Sequence, residues 1–417
     1  MALPSCDILP FQKGTGVATG IGFLDHMLDQ FYSHAQIGLQ FAIIPEGADS
    51  NCNADTLDQA ELLRNVGTAV GCALQKYLSD VVVLGGTSGR SSTFSCPLDE
   101  ALVTCVIERS NNDEPGSLQS YTLAPFGCFP KTGRTKLGHL QTSAIEEFWK
   151  ALAQNAHLHI RLEKIRGRNA HHICESSFKA FARSLRNYVD NIDCVNPSCD
   201  ETSSLQKRYG SKSENHDASA QLARQGSVER QTKETTISVQ LKLDGGTTGI
   251  RIDTGVKTLD TFYKTFAASA GLSLEIHCRG DLHIDEHHTT EDVSIALGQA
   301  LTQALGSKAG ANRMWCASSN GLDVTMDLSN RPCFIHNMEM TTEMVGQDLS
   351  AEMLEHVLES IVSNGRMTVH VLVQEGYDYK NVVIDTAKAL GHALRYCSIV
   401  DSRRAGATAS SKGTLSV

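Results

Sequence analysis

Two stretches of the chain share one design: Asn169–Glu175 reads NAHHICE and Asp285–Glu291 reads DEHHTTE, so a histidine doublet precedes a glutamate in both. Residues three and four apart share a helix face, so each stretch is predicted to offer two imidazoles and a carboxylate together. Nitrogen and oxygen ligands of this kind suit Mn²⁺, Zn²⁺ or Fe²⁺ better than Ca²⁺ or Mg²⁺. Amphipathic helices are predicted to follow, because apolar residues recur at helical spacing. These residues are Phe178, Phe181, Leu185 and Val189 after the first doublet and Val293, Leu297, Leu301 and Leu305 after the second.

Either doublet alone has a simpler interpretation as surface histidines at a helix start, where glutamate also favours the positive end of the helix dipole. The same pattern in two parts of the chain, each time opening a helix, favours metal binding instead. The zinc-protease pattern HExxH does not occur in the sequence.

The length of 417 residues indicates more than one domain. Residues 191–233 are polar and serine-rich without apolar periodicity, so we expect a linker there. It separates two halves, residues 1–190 and 234–417. In the second half, Thr236–Asp244 alternates apolar and polar residues as a half-buried strand does. Such strands, together with the amphipathic helices, predict an α+β fold.

Composition excludes several classes of protein. The net charge of −10 argues against a nucleic-acid or membrane-surface coat, although it leaves room for a local basic pocket. No apolar run reaches the roughly 18 residues of a membrane helix. The first residues lack the pattern of a signal peptide, and the 13 cysteines include no CxxC pair. We therefore expect a cytoplasmic protein with reduced thiols.

Four motifs resemble the signatures of one enzyme family. Thr19–Phe31 (TGIGFLDHMLDQF) is similar to the first signature of imidazoleglycerol-phosphate dehydratase, a lyase of histidine biosynthesis. Asp281–Gly298 (DLHIDEHHTTEDVSIALG) resembles its second signature and Asn169–Arg186 its third. Ser410–Gly413 resembles its C-terminal tail. The resemblance covers nearly the whole chain outside the linker, as two dehydratase-like domains in tandem.

The resemblance implies a ribosomal-protein-S5-like fold for each domain, itself an internal duplication in which a helix layer covers a four-stranded sheet. It also implies a homo-oligomeric shell of about 24 domains, which tandem chains would build from about 12 copies. The first half begins close to its first signature, so we expect it to lack the opening strand. That loss would leave an exposed sheet edge or a different partner for it.

Each half lacks signatures that the other half keeps. Thr56–Ala60 (TLDQA) replaces the second signature in the first half, and Thr261, Lys380 and Asn381 stand at histidine positions in the second. Eight metal ligands matching the family's set for two Mn²⁺ ions survive once each: they are His26, His171, His172 and Glu175 in the first half, and His287, His288, Glu291 and His356 in the second. Because the family's site forms between subunits, a first half facing a second half would rebuild one full site. The opposite pairing would be empty.

Substrate-binding residues divide in a similar way. The residues that match the family's positions are Glu234, His34, Arg90, Arg313, Arg331, Ser410 and Lys412. Arg90 and Arg313 match the same arginine, so either could serve, whereas Asn112 stands opposite Arg331. Arginines with a lysine suit a dianionic phosphate ester, although any single arginine could equally be a solvated surface charge.

The resemblance implies a manganese-dependent dehydration of imidazoleglycerol phosphate. The two metals would act as Lewis acids, Glu175 or Glu291 would move a proton, and Glu234 would assist. Glu175 and Glu291 could instead be ligands only. Two other classes of protein stay open: a non-catalytic paralogue that acts as a metal-binding scaffold, and a dinuclear metal hydrolase. The hydrolase would explain the ligands but not the phosphate-binding tail.

Overall fold

The computed structural model describes residues 5–10, 16–42, 58–82, 90–110, 114–192, 224–404 and 406–408. The chain forms two compact units, Met1–Pro197 and Ser198–Val417. None of the helices in these described ranges is long and apolar enough to cross a membrane.

The first unit contains two main sheets that follow each other along the chain, each with its own helices. Its elements are β1 (Ser5–Pro10), β2 (Val17–Ala18), α1 (Gly22–Ala35), β3 (Ile37–Ala42), α2 (Gln59–Val82), β4 (Ser91–Leu98), β5 (Ala101–Arg109), β6 (Ser117–Thr122), β7 (Lys136–Leu137), β8 (Leu140–Gln141), α3 (Ile145–Ala156), β9 (Leu158–Arg166) and α4 (Ala170–Asp190). The main sheets have the orders β1-β3-β2 and β4-β5-β9-β6.

The second unit repeats this arrangement with a complete first sheet. Its elements are β10 (Gln225–Gln231), β11 (Thr235–Lys242), β12 (Arg251–Asp253), α5 (Lys257–Ala270), β13 (Ser273–Gly280), α6 (His287–Leu305), β14 (Met314–Ser319), β15 (Leu322–Asp327), β16 (Cys333–His336), α7 (Ala351–Asn364), β17 (Thr368–Val373) and α8 (Val382–Ser398). The sheets have the orders β10-β11-β13-β12 and β14-β15-β17-β16.

Both sheets of the second unit follow one connection pattern: an antiparallel hairpin, a third strand, a helix, a fourth strand parallel to the third, and a second helix. β11 alternates buried and accessible residues, as predicted, and its buried face includes Ile237, Val239 and Leu241. The α+β class and the internal duplication of the fold are confirmed.

Two glycines show that the units match in register as well as in pattern. A Cβ on Gly71 in α2 would lie 2.9 Å from the Asn155 Cβ in α3. A Cβ on Gly298 in α6 would lie 2.7 Å from the Asn364 Cβ in α7. Because each close contact leaves room only for glycine, the α2–α3 and α6–α7 pairs are packed in equivalent positions. This equivalence fixes which residues correspond at the candidate site.

The predicted linker is too long at its C-terminal end. Gln225–Gln231 forms β10 and pairs antiparallel with β11, from Gln225 opposite Lys242 to Gln231 opposite Thr236. β10 is an edge strand that buries only Gly226 and Val228, so its composition resembles that of a linker. Residues 193–223 lie outside the described residues.

The expected absence of an opening strand concerns the first sheet of the first unit, which has three described strands where the second unit has four. β1 pairs antiparallel with β3 and takes the place that β11 has in the second unit. Among the described residues, the strand without a counterpart in the first unit is β10, and with it the turn that carries Glu234. The short β1 sequence, SCDILP, has too few alternating positions to be recognised as a strand.

Candidate metal centre

Three predicted ligands of the first unit meet where α1 and α4 begin. The His171 Nε2 lies 2.9 Å from the Glu175 Oε2, and the His26 Nε2 lies 3.7 Å from the same oxygen. Ligand atoms of the three residues all lie within 4.8 Å of one another. Asn169 caps α4, and its side chain accepts hydrogen bonds from the backbone N–H groups of His171 and His172. We call His26, His171 and Glu175 the first cluster.

Glu175 is held as a carboxylate by its neighbours. Its side chain is 12% exposed, and the buried Lys179 ammonium lies 2.6 Å from its Oε1. Burial disfavours the charged form, but Lys179, His171 and His26 together outweigh it and hold the pKa of Glu175 far below its ordinary value. Glu175 is therefore ionised, as a metal-binding carboxylate must be, and it is a weak base. The sequence interpretation missed Lys179, although its position four residues after Glu175 was a usable signal.

Three predicted ligands of the second unit meet between α6 and α7. The His356 Nε2 lies 3.2 Å from the Glu291 Oε1, and the His287 Nε2 lies 3.8 Å from the Glu291 Oε2. The Glu291 side chain is 36% exposed. Ile295 lies four residues after Glu291, as Lys179 lies four residues after Glu175. This second cluster, His287, Glu291 and His356, therefore has no equivalent ammonium partner on α6.

The other histidine of each doublet lies outside its own cluster. The His172 Nδ1 is 2.8 Å from the Glu100 Oε2, and the His288 Nδ1 is 3.0 Å from the Asp281 Oδ2. The prediction that both imidazoles share a face with the glutamate is thus wrong, because adjacent helix residues point about 100° apart. A carboxylate on one ring nitrogen orients the ring and leaves its Nε2 for a metal.

These carboxylates are tied to their histidines electrostatically. Burial raises the pKa of Glu100, but hydrogen bonds from His172 and the Asn169 backbone lower it below the ordinary value. Asp281 chiefly raises the pKa of His288. Neither carboxylate was predicted as a functional residue; Glu100 lies just before β5, and Asp281 lies just after β13.

In the second unit, three other residues stand at the first-cluster positions. Thr19 and Thr254 make the same hydrogen bonds to Asp25 and Asp260, at 2.6 and 2.7 Å between side chains, so α1 and α5 begin in register. Asp378 caps the turn before α8 as Asn169 caps α4. Consequently Thr261, Lys380 and Ile384 replace His26, His171 and Glu175.

In the first unit, an ion pair stands at two of the second-cluster positions. The glycine contacts of α2 and α6 make Ala60, Arg64 and Glu147 equivalent to His287, Glu291 and His356. The Arg64 NH2 lies 2.9 Å from the Glu147 Oε2, and Arg64 chiefly lowers the pKa of Glu147. Among the described residues, each of the two candidate ligand clusters therefore occurs once, and the two lie in different units.

Comparison with known proteins agrees with this geometry. The family model of imidazoleglycerol-phosphate dehydratase matches residues 19–185 and again residues 254–394. The chain belongs to this family. Its two matches confirm the tandem duplication and the predicted class of enzyme, a carbon–oxygen hydro-lyase.

Individual dehydratases resemble one part of the chain at a time. The chloroplastic imidazoleglycerol-phosphate dehydratase of Pisum sativum is 40% identical over 199 residues, which cover 46% of this chain and 69% of the relative. The chloroplastic dehydratase 1 of Arabidopsis thaliana is 37% identical over 222 residues, covering 52% and 81%. A crystal structure of the Pyrococcus furiosus enzyme is 28% identical and aligns with a TM-score of 0.37 over 45% of this chain and 99% of its own.

The predicted substrate-binding residues of the second unit lie in different surroundings. Glu234 lies in the turn between β10 and β11, is 50% exposed, and has its Oε1 3.9 Å from the His288 Nε2. Arg331 lies in the loop after β15 and is partly exposed. Arg313 is 4% exposed, and its guanidinium makes two hydrogen bonds, of 2.7 and 2.9 Å, to the buried Asp327. That buried pairing disagrees with a direct role for Arg313 at phosphate.

In the first unit, His34 also disagrees with its predicted role. Its side chain is 1% exposed on the inner face of α1, so the folded unit does not present it to a substrate. The family resemblance gave the position of His34 in the sequence but not the helix face that it occupies. Arg90 is partly exposed and lies over the Tyr188 ring, 5.7 Å from the ring centre. Ser410, Lys412 and Asn112 lie outside the described residues.

Proposed function

We propose that this chain catalyses the manganese-dependent dehydration of imidazoleglycerol phosphate to imidazole-acetol phosphate in histidine biosynthesis, at sites shared between a first and a second unit. One observation carries the proposal: each unit has a cluster of three metal ligands together with one histidine whose ring is oriented by a carboxylate outside that cluster. Among the described residues, neither unit brings its four predicted ligands together by itself.

The donor atoms fit transition metals. Each cluster offers two imidazole nitrogens and a carboxylate, and a further imidazole from the other unit would give three nitrogens and one oxygen. His288 would complete the first cluster, and His172 would complete the second. Glu100 and Asp281 would fix those two rings, as carboxylates commonly do behind metal-bound histidines. The choice of manganese among suitable metals comes from the family resemblance.

The reaction removes a proton from one carbon and a hydroxyl from its neighbour, and the resulting enol becomes the ketone. Bound metal would supply Lewis-acid stabilisation of developing charge. Among the three candidate carboxylates, Glu234 is best placed to move a proton, because it lies beside His288 but outside both clusters. Glu175, with its low pKa and its Lys179 partner, is suited to ligation.

Substrate orientation would come from the phosphate. Arg331 offers a guanidinium near the surface of the second unit, and Ser410 and Lys412 would add donors from the C-terminal tail. Holding the phosphate at a fixed distance from the metals would place the ring and the reacting carbons together. A homo-oligomer of about 12 chains in the cytoplasm accords with this function and is part of the proposal.

An assay of imidazoleglycerol-phosphate turnover tests the proposal directly. The protein would be freed of metal by chelation, and turnover would be measured before and after addition of Mn²⁺. Restored turnover supports the dehydratase. Metal binding without turnover of this substrate would favour the non-catalytic scaffold.

A further inference from the structure

The positions that have lost their metal ligands carry charges of opposite sign on the two units. In the first unit, Glu61 stands at the position of His288, next to the Arg64–Glu147 ion pair. In the second unit, Lys380 stands at the position of His171. Both replacements are charged side chains on exposed surfaces. Each therefore favours a surface of opposite charge as its partner.

Under the proposed function, His288 of a second unit completes a cluster that contains His171 of a first unit. Exchanging the roles of the two units places Glu61 of a first unit beside Lys380 of a second unit. We infer that the surfaces without metal ligands also pair, and that a Glu61–Lys380 ion pair replaces the metal at that interface. The inference rests on the proposed function, because it uses the same pairing geometry.

The charges of the replaced residues balance without metal. In the metal-binding pairing, Glu175 and Glu291 contribute two negative charges and the histidine ligands are neutral, so cations are needed for balance. In the exchanged pairing, Arg64 and Lys380 offset Glu61 and Glu147. Because uncompensated charge at an interface costs free energy, the second set is suited to pair in the absence of metal ions.

Local geometry leaves both partners available. Arg64 and Glu147 pair with each other, and Glu61 makes no ion pair with another described residue of its unit. The Lys380 side chain is 84% exposed, and its Nζ lies 3.3 Å from an Asp378 carboxylate that is 66% exposed. Thr261, Lys380 and Ile384 line one open recess of about 320 Å³. A carboxylate from another unit would enter this recess beside the ammonium.

Charge exchange tests the inference on the full-length, Mn²⁺-loaded protein. Glu61→Lys and Lys380→Glu should each raise the protein concentration at which the assembly dissociates, by about fivefold for each ion pair lost at low ionic strength. The double variant, which restores opposite charges, should return to within about twofold of the original value. Metal content should stay unchanged in all three, since none of these residues is a ligand. Asp378→Asn is the matched control, because it removes the partner of Lys380 within its own unit. When it is combined with Glu61→Lys, it should not restore assembly.

A cross-link tests the contact itself. Because a disulfide would require shorter Cα separations than a Glu–Lys ion pair gives, Glu61→Cys combined with Lys380→Cys is treated with a short bismaleimide, which should give a cross-linked peptide joining residues 61 and 380, whether the pairing lies within one chain or between chains. Absence of that peptide, or failure of the double charge exchange to restore assembly, overturns the inference. The proposed function fails separately, if Mn²⁺ does not support turnover or if His171→Ala keeps half the activity. Metal-dependent turnover at shared sites without the 61–380 contact would therefore overturn only the inference.

Discussion

Removing one first-cluster ligand distinguishes shared sites from independent ones. In His171→Ala, the ring nitrogen now 2.9 Å from Glu175 is lost, and the first cluster keeps two ligands. Loss of an orienting partner behind a ligand typically costs 10- to 100-fold in metal affinity, so loss of the ligand itself should cost at least about 100-fold, or about 2.7 kcal/mol. If every working site includes a first cluster, turnover at limiting Mn²⁺ should fall to about a hundredth.

A matched variant controls for the change in side chain. Lys380→Ala alters the equivalent position of the second unit and, at protein concentrations well above those at which the assembly dissociates, should leave the rate per chain close to that of the original protein. His287→Ala, in the second cluster, should lose as much turnover as His171→Ala. The measurements are initial rates of imidazoleglycerol-phosphate turnover and bound manganese per chain, on samples with equal amounts of folded protein.

Retention of about half the rate in either histidine variant would refute the reasoning, because it would show that each unit works alone. Mixing the two inactive variants, with metal removed and then restored, adds a second result. If the two units of a site come from different chains, random pairing should bring two intact units together at about a quarter of the sites. Units that meet within one chain should recover none.

Three further results are expected. The chain should retain about two tightly bound metal ions after dialysis, not four, and should release them on acidification, because only neutral imidazole binds metal; elemental analysis checks both. Arg331→Ala should weaken substrate binding by about 2–4 kcal/mol, seen as a raised KM, whereas Asn112→Ala should change it little. Lys179→Met should tighten metal binding at the first cluster, because it removes the ammonium 2.6 Å from Glu175, and a chelator competition measures this.

The sequence predicted the parts of this protein that depend on local pattern. The histidine doublets lie at or just before the first turns of α4 and α6, the alternation of residues 236–244 gives β11, and the eight predicted ligands include both three-residue clusters. Each of these follows from spacing along one helix or strand. The resemblance to a family supplied the remote members, His26 and His356, which no local pattern connects to the doublets.

What could not be predicted depends on burial and on contacts between elements. His34 and Arg313 match substrate-binding positions, yet one is inside α1 packing and the other is held by Asp327, more than ten residues away. The sequence of β10 resembles that of a linker because an edge strand buries few apolar residues. The separation of His172 from Glu175 required the actual direction of each ring, which Glu100 determines.

Complementary loss in the two units has a physical basis in their covalent connection. Two separate proteins that each lacked half a site would need to be made in equal amounts and to choose each other over themselves. A tandem chain fixes the ratio at one to one, so a ligand lost from one unit is tolerated while its equivalent survives in the other.

The positions that have lost their ligands are then free to acquire charges. Arg64 and Glu147 neutralise each other at 2.9 Å on one unit, and Lys380 presents an exposed ammonium on the other. Under the proposed function, two second units facing each other would bring Lys380, which is not a metal ligand, to the place of His171, and two first units would bring Glu61 to the place of His288. The replacements would therefore favour pairing of a first unit with a second unit, which keeps the ligand sets complete.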